Sequence, residues 1–253
     1  MPGNIPRLRW HAFHTHKRGN TPDEYEDAFA GDAATARFAV ADGASESSFT
    51  ATWAKLLADA FVAAKGRSWR DLGWLGPPRQ HWADDVDPRP LPWYAEEKRE
   101  QGAYATLLGV VFRTVRHRAS KRQDGVWRAL SVGDSCLFRL RGGRLIRSFP
   151  MVNSADFGNQ PALLGSRGRP SDTPQGIRRG RGRWRPGDRF LLMTDALAEW
   201  TLRRNEQEQR PADDIERLLA ESSPQDAFAA WVEERRNGQG LRNDDVTLVV
   251  IDL

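Results

Sequence analysis

The chain has 253 residues and a net charge of +4, with 38 lysines and arginines against 34 aspartates and glutamates. That length suits one large domain with a full core, spanning residues 1–253, better than two small ones. Cys136 is the only cysteine, which excludes an internal disulfide framework and a cysteine-rich zinc site, and no apolar run reaches the roughly 18 residues of a membrane helix.

The opening stretch, Met1 to Phe13, has no apolar core and no small-residue cleavage site, so a secretory signal is not expected and a cytoplasmic location is. His11, His14 and His16 cluster near it; they could ligate a metal, but loop residues are the plainer reading. Ala28-Phe29-Ala30 reads as a short strand, and Arg37 to Ala41 is the first well-patterned one, ending at Asp42-Gly43. Trp53, Leu56, Leu57, Ala60 and Phe61 recur at helical spacing behind Ser47 or Ser48, either of which can cap the helix. Residues 66–95 are rich in Trp, Pro, Gly and charge and read as an irregular insertion. Its Trp69, Trp74, Trp82 and Trp93 are expected to pack locally rather than to form an aromatic partner site.

Glu96 to Gln101 closes a second helix. Strands then follow at 105–112, 126–132, 136–140 and 144–149, the last two joined by a hairpin at Arg141-Gly142-Gly143-Arg144. Residues 153–182 read as a long loop, leading into an arginine-rich stretch at about 166–186 with Arg167, Arg169, Arg178, Arg179, Arg181, Arg183 and Arg185. Such a run suits phosphates, yet a solvated loop is the better reading, and no nucleic-acid-binding signature accompanies it. Arg189 to Thr194 is a strand, Asp213–Leu219 and Asp226–Arg236 are amphipathic helices, and Val246–Asp252 is the closing strand. Meandering strands with hairpin turns and outlying helices predict an α+β fold built on antiparallel sheets.

Acidic residues recur where strands end. Asp42 follows one strand, Asp134 another and Asp195 a third; Asp244 and Asp245 precede the last, and Glu26-Asp27 precede Ala28. Taken singly, an aspartate beside glycine or serine is a common turn residue. Repeated at strand ends, the carboxylates would meet at one rim and repel each other unless cations neutralise them. Oxygen ligands without His or Cys suit Mg²⁺ or Mn²⁺ rather than zinc. A cysteine-based phosphatase loop is excluded, since Gly142 stands where its arginine belongs, and no Walker loop, HExxH or GxSxG occurs.

In these blocks the sequence resembles the metal-dependent protein phosphatases of the PPM, or PP2C, family. Glu26-Asp27-Ala28-Phe29, Phe38-Ala39-Val40-Ala41-Asp42-Gly43, Gly102-Ala103-Tyr104-Ala105-Thr106, Val132-Gly133-Asp134-Ser135, Leu191-Leu192-Met193-Thr194-Asp195 and Asn243-Asp244-Asp245-Val246-Thr247 follow the family's order from about residue 14 to 252. The resemblance implies a four-layer α-β-β-α sandwich of two antiparallel sheets flanked by helices. It implies two core Mn²⁺ or Mg²⁺ ions, possible third-ion binding at Asp134, and Asp27, Asp42, Asp195 and Asp244 as the catalytic set, with the Gly43 carbonyl as a further ligand and Glu26 acting through water. Asp244 is preferred to Asp245 because it holds the first position of its block.

Three positions depart from the family pattern: Ala44 follows Asp42-Gly43, Ala196 replaces the glycine after Asp195, and Pro22 stands where a phosphate-binding arginine is usual. Arg18 and His16 are the candidates for that role. The implied activity is hydrolysis of phosphoserine and phosphothreonine in proteins, with a phosphorylated protein as substrate, a Ser/Thr kinase as counterpart and no membrane. Two alternatives stay open: a phosphatase-like binding module without catalysis, and a metal-dependent nuclease.

Overall fold

The computed structural model describes residues 5, 8–44, 49–64, 66, 72–90, 96, 99–115, 124–158, 160–168 and 176–253. One five-stranded sheet runs in the order β1 (Arg9–Thr15), β12 (Val246–Asp252), β11 (Asp188–Met193), β7 (Cys136–Arg141) and β8 (Arg144–Phe149). The other runs β10 (Arg178–Trp184), β6 (Asp124–Val132), β5 (Leu107–Val115), β3 (Arg37–Ala41) and β2 (Ala28–Asp32). Every neighbouring pair is antiparallel. A short pair, β4 (Tyr104–Ala105) with β9 (Leu164–Gly165), completes the strands of the described residues.

The two-residue period of a strand sorts the apolar residues into three layers of core. Phe38, Val40, Leu108, Val110, Phe112, Phe190, Leu192, Val249 and Ile251 point between the sheets. Their alternates Ala39, Ala41, Leu107 and Val111 face α1 (Thr50–Ala63) and α2 (Gly76–Val86). On the opposite outer face, Leu191, Met193, Val246, Leu248 and Val250 meet α3 (Asp195–Glu206), α4 (Pro211–Ala220) and α5 (Pro224–Arg236). Strands apolar on both faces require cover on both sides, and a one-residue slip would exchange the two cores, so the register is strongly specified. The result is the expected α-β-β-α sandwich. Among the described residues no helix is long and apolar enough to cross a membrane.

Several elements differ from expectation. β1 occupies the histidine segment: His11 and His14 are strand residues, and Phe13 between them is buried against Phe228, ring centroids 5.7 Å apart. α2 lies inside the supposed irregular insertion. It opens with Gly76-Pro77-Pro78, but proline is pre-organised for a first helical turn, and Pro78, Trp82 and Val86 bury one face at four-residue steps. Trp74 and Trp82 do pack locally, against α1; Trp69 and Trp93 lie outside the described residues. α3 is a helix where only the end of a strand was expected, because Asp195 both follows β11 and opens the helix. The residue preceding α1 is Phe49, which offers no side-chain cap; Ser47 and Ser48 lie outside the described residues.

The arginine-rich loop is the largest correction. Arg178 to Trp184 form the edge strand β10, paired with β6 along its whole length. Glycine and arginine suggested irregular chain, yet Gly180 and Gly182 lie against the Phe149 and Trp127 rings, where a Cβ would stand 2.9 and 2.7 Å from the nearest ring atom. The hairpin at Gly142-Gly143 forms as expected, with φ of +56° and +70° at its two glycines. Away from the strand-end acids, Asp188 is buried and accepts from Arg139 (2.7 and 3.0 Å), Arg141 (2.7 and 3.1 Å) and the Arg185 amide (2.8 Å).

Candidate metal centre

Strand register brings the acids to one end of the sandwich. Ala28 pairs with Ala41, so Asp27 and Asp42 leave β2 and β3 at the same edge. Met193 pairs with both Leu248 and Cys136, so Thr194-Asp195, Asp244-Asp245 and the Asp134 turn gather at the corresponding edge of the facing sheet. The electrostatics agree. Burial pushes the Asp42 carboxyl well above the usual carboxylate range, and repulsion from Asp27, Asp195, Asp134 and Asp244 adds to it.

Asp27 is buried. Its Oδ2 accepts from the hydroxyls of Thr247 (2.7 Å) and Thr194 (2.8 Å), while its Oδ1 is buried without a hydrogen-bond partner. The Thr194 oxygen also takes the Thr247 amide (3.0 Å), and the Tyr25 hydroxyl bonds the Thr247 oxygen, giving a chain from Tyr25 through Thr247 to Asp27. Burial raises the Asp27 carboxyl well above its ordinary value; the two threonines offset part of this, and Asp245 and Asp195 reinforce it.

Asp42 is anchored through its backbone. Thr106 donates its amide to the Asp42 carbonyl (2.8 Å) and its oxygen accepts the Asp42 amide (3.2 Å), while lying 3.0 Å from the Ser135 hydroxyl beside Asp134. The next residue must be glycine: a Cβ on Gly43 would stand 2.8 Å from the Glu26 carbonyl oxygen and 2.9 Å from Thr50 Cβ. Glu26 is held by the Thr50 hydroxyl at 2.5 Å. Asp134, buried with Oδ1 also lacking a partner, is pushed up to about 7, first by burial and then by Asp195.

The paired acids before β12 divide their tasks. Asp245 commits both oxygens to backbone amides, of Lys17 and Glu26, each at 2.7 Å. Asp244 instead faces the acid rim, its carboxyl raised by burial and by Asp195. Asp195 accepts from its neighbour's amide, Ala196, at 2.5 Å, and from the Arg242 guanidinium, whose Nε also lies 2.9 Å from Glu199. Burial disfavours the Arg242 charge, but attraction to Asp195, Glu199 and Asp244 holds its pKa above the ordinary value.

Among the described residues, no three His, Cys, Asp or Glu side chains are already gathered into a cation-binding cluster. The histidines do not converge: His11 stacks on Phe13, and His14 lies against Tyr25 and Phe29. His16 Nδ1 lies 3.1 Å from the Lys17 carbonyl oxygen. Arg18 reaches α5, donating to Glu233 (2.7 and 2.9 Å) and Asn237 (2.8 Å).

Sequence reasoning missed Tyr25, Thr50, Thr194, Thr247 and Arg242 as parts of this rim. Thr194 and Thr247 stand inside the acidic blocks, one beside Asp195 and one after Asp245-Val246, so their positions carried a signal. Arg242, two residues before Asp244, carried none.

Residues 14–234 match the family described as Protein phosphatase 2C. Among solved structures, the serine/threonine phosphatase PstP/Ppp of Mycobacterium tuberculosis superposes with a TM-score of 0.59 at 18% identity, covering 97% of this chain and 98% of that one. The catalytic domain of PstP in complex with two manganese ions gives 0.57 at 20% identity over 97% of each chain. PppA, a regulatory component of the type VI secretion system of Pseudomonas aeruginosa, gives 0.55 at 18% identity, again over 97% of each chain. No curated protein sequence matches the chain.

Proposed function

Because the chain belongs to the protein phosphatase 2C family, we propose that it hydrolyses phosphoserine and phosphothreonine in proteins with two Mn²⁺ or Mg²⁺ ions held at the acid rim. The observation that carries this is the pair of buried carboxylate oxygens, Asp27 Oδ1 and Asp134 Oδ1, that lack a hydrogen-bond partner amid mutually repelling acids. Orphaned anionic oxygens in low dielectric are costly, and an all-oxygen donor set suits a hard divalent cation.

Asp27, Asp42, Asp195 and Asp244 are the proposed ligands of the two core ions, with the Gly43 carbonyl joining them and Asp134 serving a third, weaker ion. Such cations supply an activated water for in-line attack and offset the charge on the phosphoryl oxygens. The chain's own residues set the geometry. Thr194 and Thr247 fix Asp27 Oδ2, which leaves Oδ1 for a cation. Thr50 fixes the Glu26 carboxylate, which would act through water once cations are held. Thr106 ties Asp42 to the Asp134 turn. For Arg18 to grip a phosphoryl group with His16, it must exchange Glu233 and Asn237 for the substrate.

The reading includes a phosphorylated cytoplasmic protein as substrate, a Ser/Thr kinase as counterpart and one catalytic domain. A phosphatase-like binding module remains the second reading, favoured by the Arg242–Asp195 pair and by the lack of a ready cation cluster among the described residues. Calorimetry with Mn²⁺ and phosphate release from a phosphothreonine peptide separate the two. Binding with Mn²⁺-dependent turnover supports the enzyme; no binding and no turnover supports the module.

A further inference from the structure

The outer face of the second sheet carries a predominantly positive array of charge that the acid rim does not use. In the β6–β10 register, Arg179 stands opposite Leu130, Arg181 opposite Arg128, and Arg183 opposite Val126. In the β5–β6 register, Arg128 stands opposite Val111 and Arg113 opposite Val126. Directly paired residues share a face of a sheet. The outward positions of β5, β6 and β10 therefore hold Arg113, Arg128, Arg179, Arg181 and Arg183, with Asp124 as their one acid. All five arginines are exposed. Among the described residues, Arg113, Arg128, Arg181 and Arg183 make no ion pair.

This arrangement opposes the sheet's own stability. Arg181 and Arg128 are like charges placed directly across a strand pair. Arg37, on the neighbouring strand, has its charge disfavoured first by burial and then by Arg113. The inward positions explain only the other half of β10, where Gly180, Gly182 and Trp184 fill the space between the sheets. α1 lies over β2, β3 and β5. Among the described residues, β10 is itself a sheet edge, with one side of its backbone unpaired.

We propose that this face docks an acidic segment of a partner protein, in extended form, with its carboxylates on Arg128, Arg179, Arg181 and Arg183. Arginines at alternate strand positions recur about every 7 Å, which is also the repeat of same-side residues in an extended peptide. An edge strand can take such a peptide as an added strand. Single-stranded nucleic acid fits less well, because it needs exposed aromatic platforms for its bases. Trp127 and Trp184 are buried between the sheets, and among the described residues the exposed large apolar ones are Tyr104, Ile146 and Val152, none of them on these outward positions.

The test is independent of catalysis. A fluorescent oligo-glutamate peptide is titrated with the full chain and with R179S/R181S/R183S, following anisotropy at low and high salt. The intact chain is expected to bind at low salt, to lose binding at high salt, and to bind about tenfold more tightly than the triple variant, the factor for three exposed ion pairs. A thermal melt of the variant matching the intact chain shows that the loss is not misfolding; a collapsed melt moves the test to R181Q alone, with a smaller loss expected. No binding by the intact chain, equal binding by the variant, or tighter binding of a single-stranded oligonucleotide of equal charge would each overturn the proposal.

Discussion

Thr194 donates its hydroxyl to Asp27 Oδ2 at 2.8 Å, joining residues 167 positions apart at the centre of the acid rim. Thr247 donates to the same oxygen at 2.7 Å, so Asp27 is oriented with its other oxygen free of hydrogen bonds. Removing both hydroxyls in T194V/T247V leaves the Asp27 charge with far less support. Hydrogen bonds to a charged group contribute about 1.5–3 kcal/mol each. The double variant is expected to bind Mn²⁺ at least tenfold more weakly by calorimetry while retaining its fold by circular dichroism.

Arg242 has the opposite influence. Its guanidinium neutralises Asp195 and competes with any cation placed there. The side chain is 45% exposed, so screening limits the effect to a few-fold. R242Q is expected to tighten Mn²⁺ binding by roughly that factor. Weaker binding in R242Q would show that Arg242 supports the site rather than competing for it.

The raised carboxyls predict how stability follows pH in the absence of divalent ions. Asp134 moves from an ordinary 3.8 to about 7, and Asp27, Asp42 and Asp244 shift in the same direction. A raised acid stabilises the fold fully below its unfolded value and loses that contribution as pH rises through its folded value. In EDTA, the melting temperature is expected to fall as pH rises from about 4 to about 7. Below that window Asp32, Asp156, Asp188 and Glu233, all lowered, act in reverse and lose stabilisation on protonation. Saturating Mn²⁺ is expected to flatten or invert the upper slope, because cations bind the ionised acids.

Asp188 provides a control away from the acid rim. D188A strands Arg139 and Arg141 beside a buried vacancy and is expected to destabilise the chain by about 3 kcal/mol in urea unfolding. Its Mn²⁺ affinity, measured under folded conditions, should be unchanged.

The acids were legible because strand ends and short blocks are local: Asp42 follows an apolar strand and Asp244 precedes one, whatever the rest of the fold does. The antiparallel α+β layering was legible for the same reason, through meandering strands and hairpin turns, whereas the pairing of two sheets came from the family resemblance. What escaped depends on partners distant in sequence. β1 hides as a strand because exposed His11 shares a face with buried Phe13, and only α5 explains why Phe13 is buried. β10 hides because Gly180 and Gly182 look like loop until the Phe149 and Trp127 rings lie against them. Arg242 reaches Asp195 across 47 residues, a pairing no local pattern encodes.

The most direct measurement is phosphate release from a phosphothreonine peptide by the intact chain, D42A and D195A, with Mn²⁺ and with EDTA. The expected result is turnover by the intact chain with Mn²⁺, none with EDTA, and a loss of at least about a hundredfold in either variant. Undiminished turnover by D42A or D195A, or turnover that persists in EDTA, would contradict a metal-dependent site at this rim.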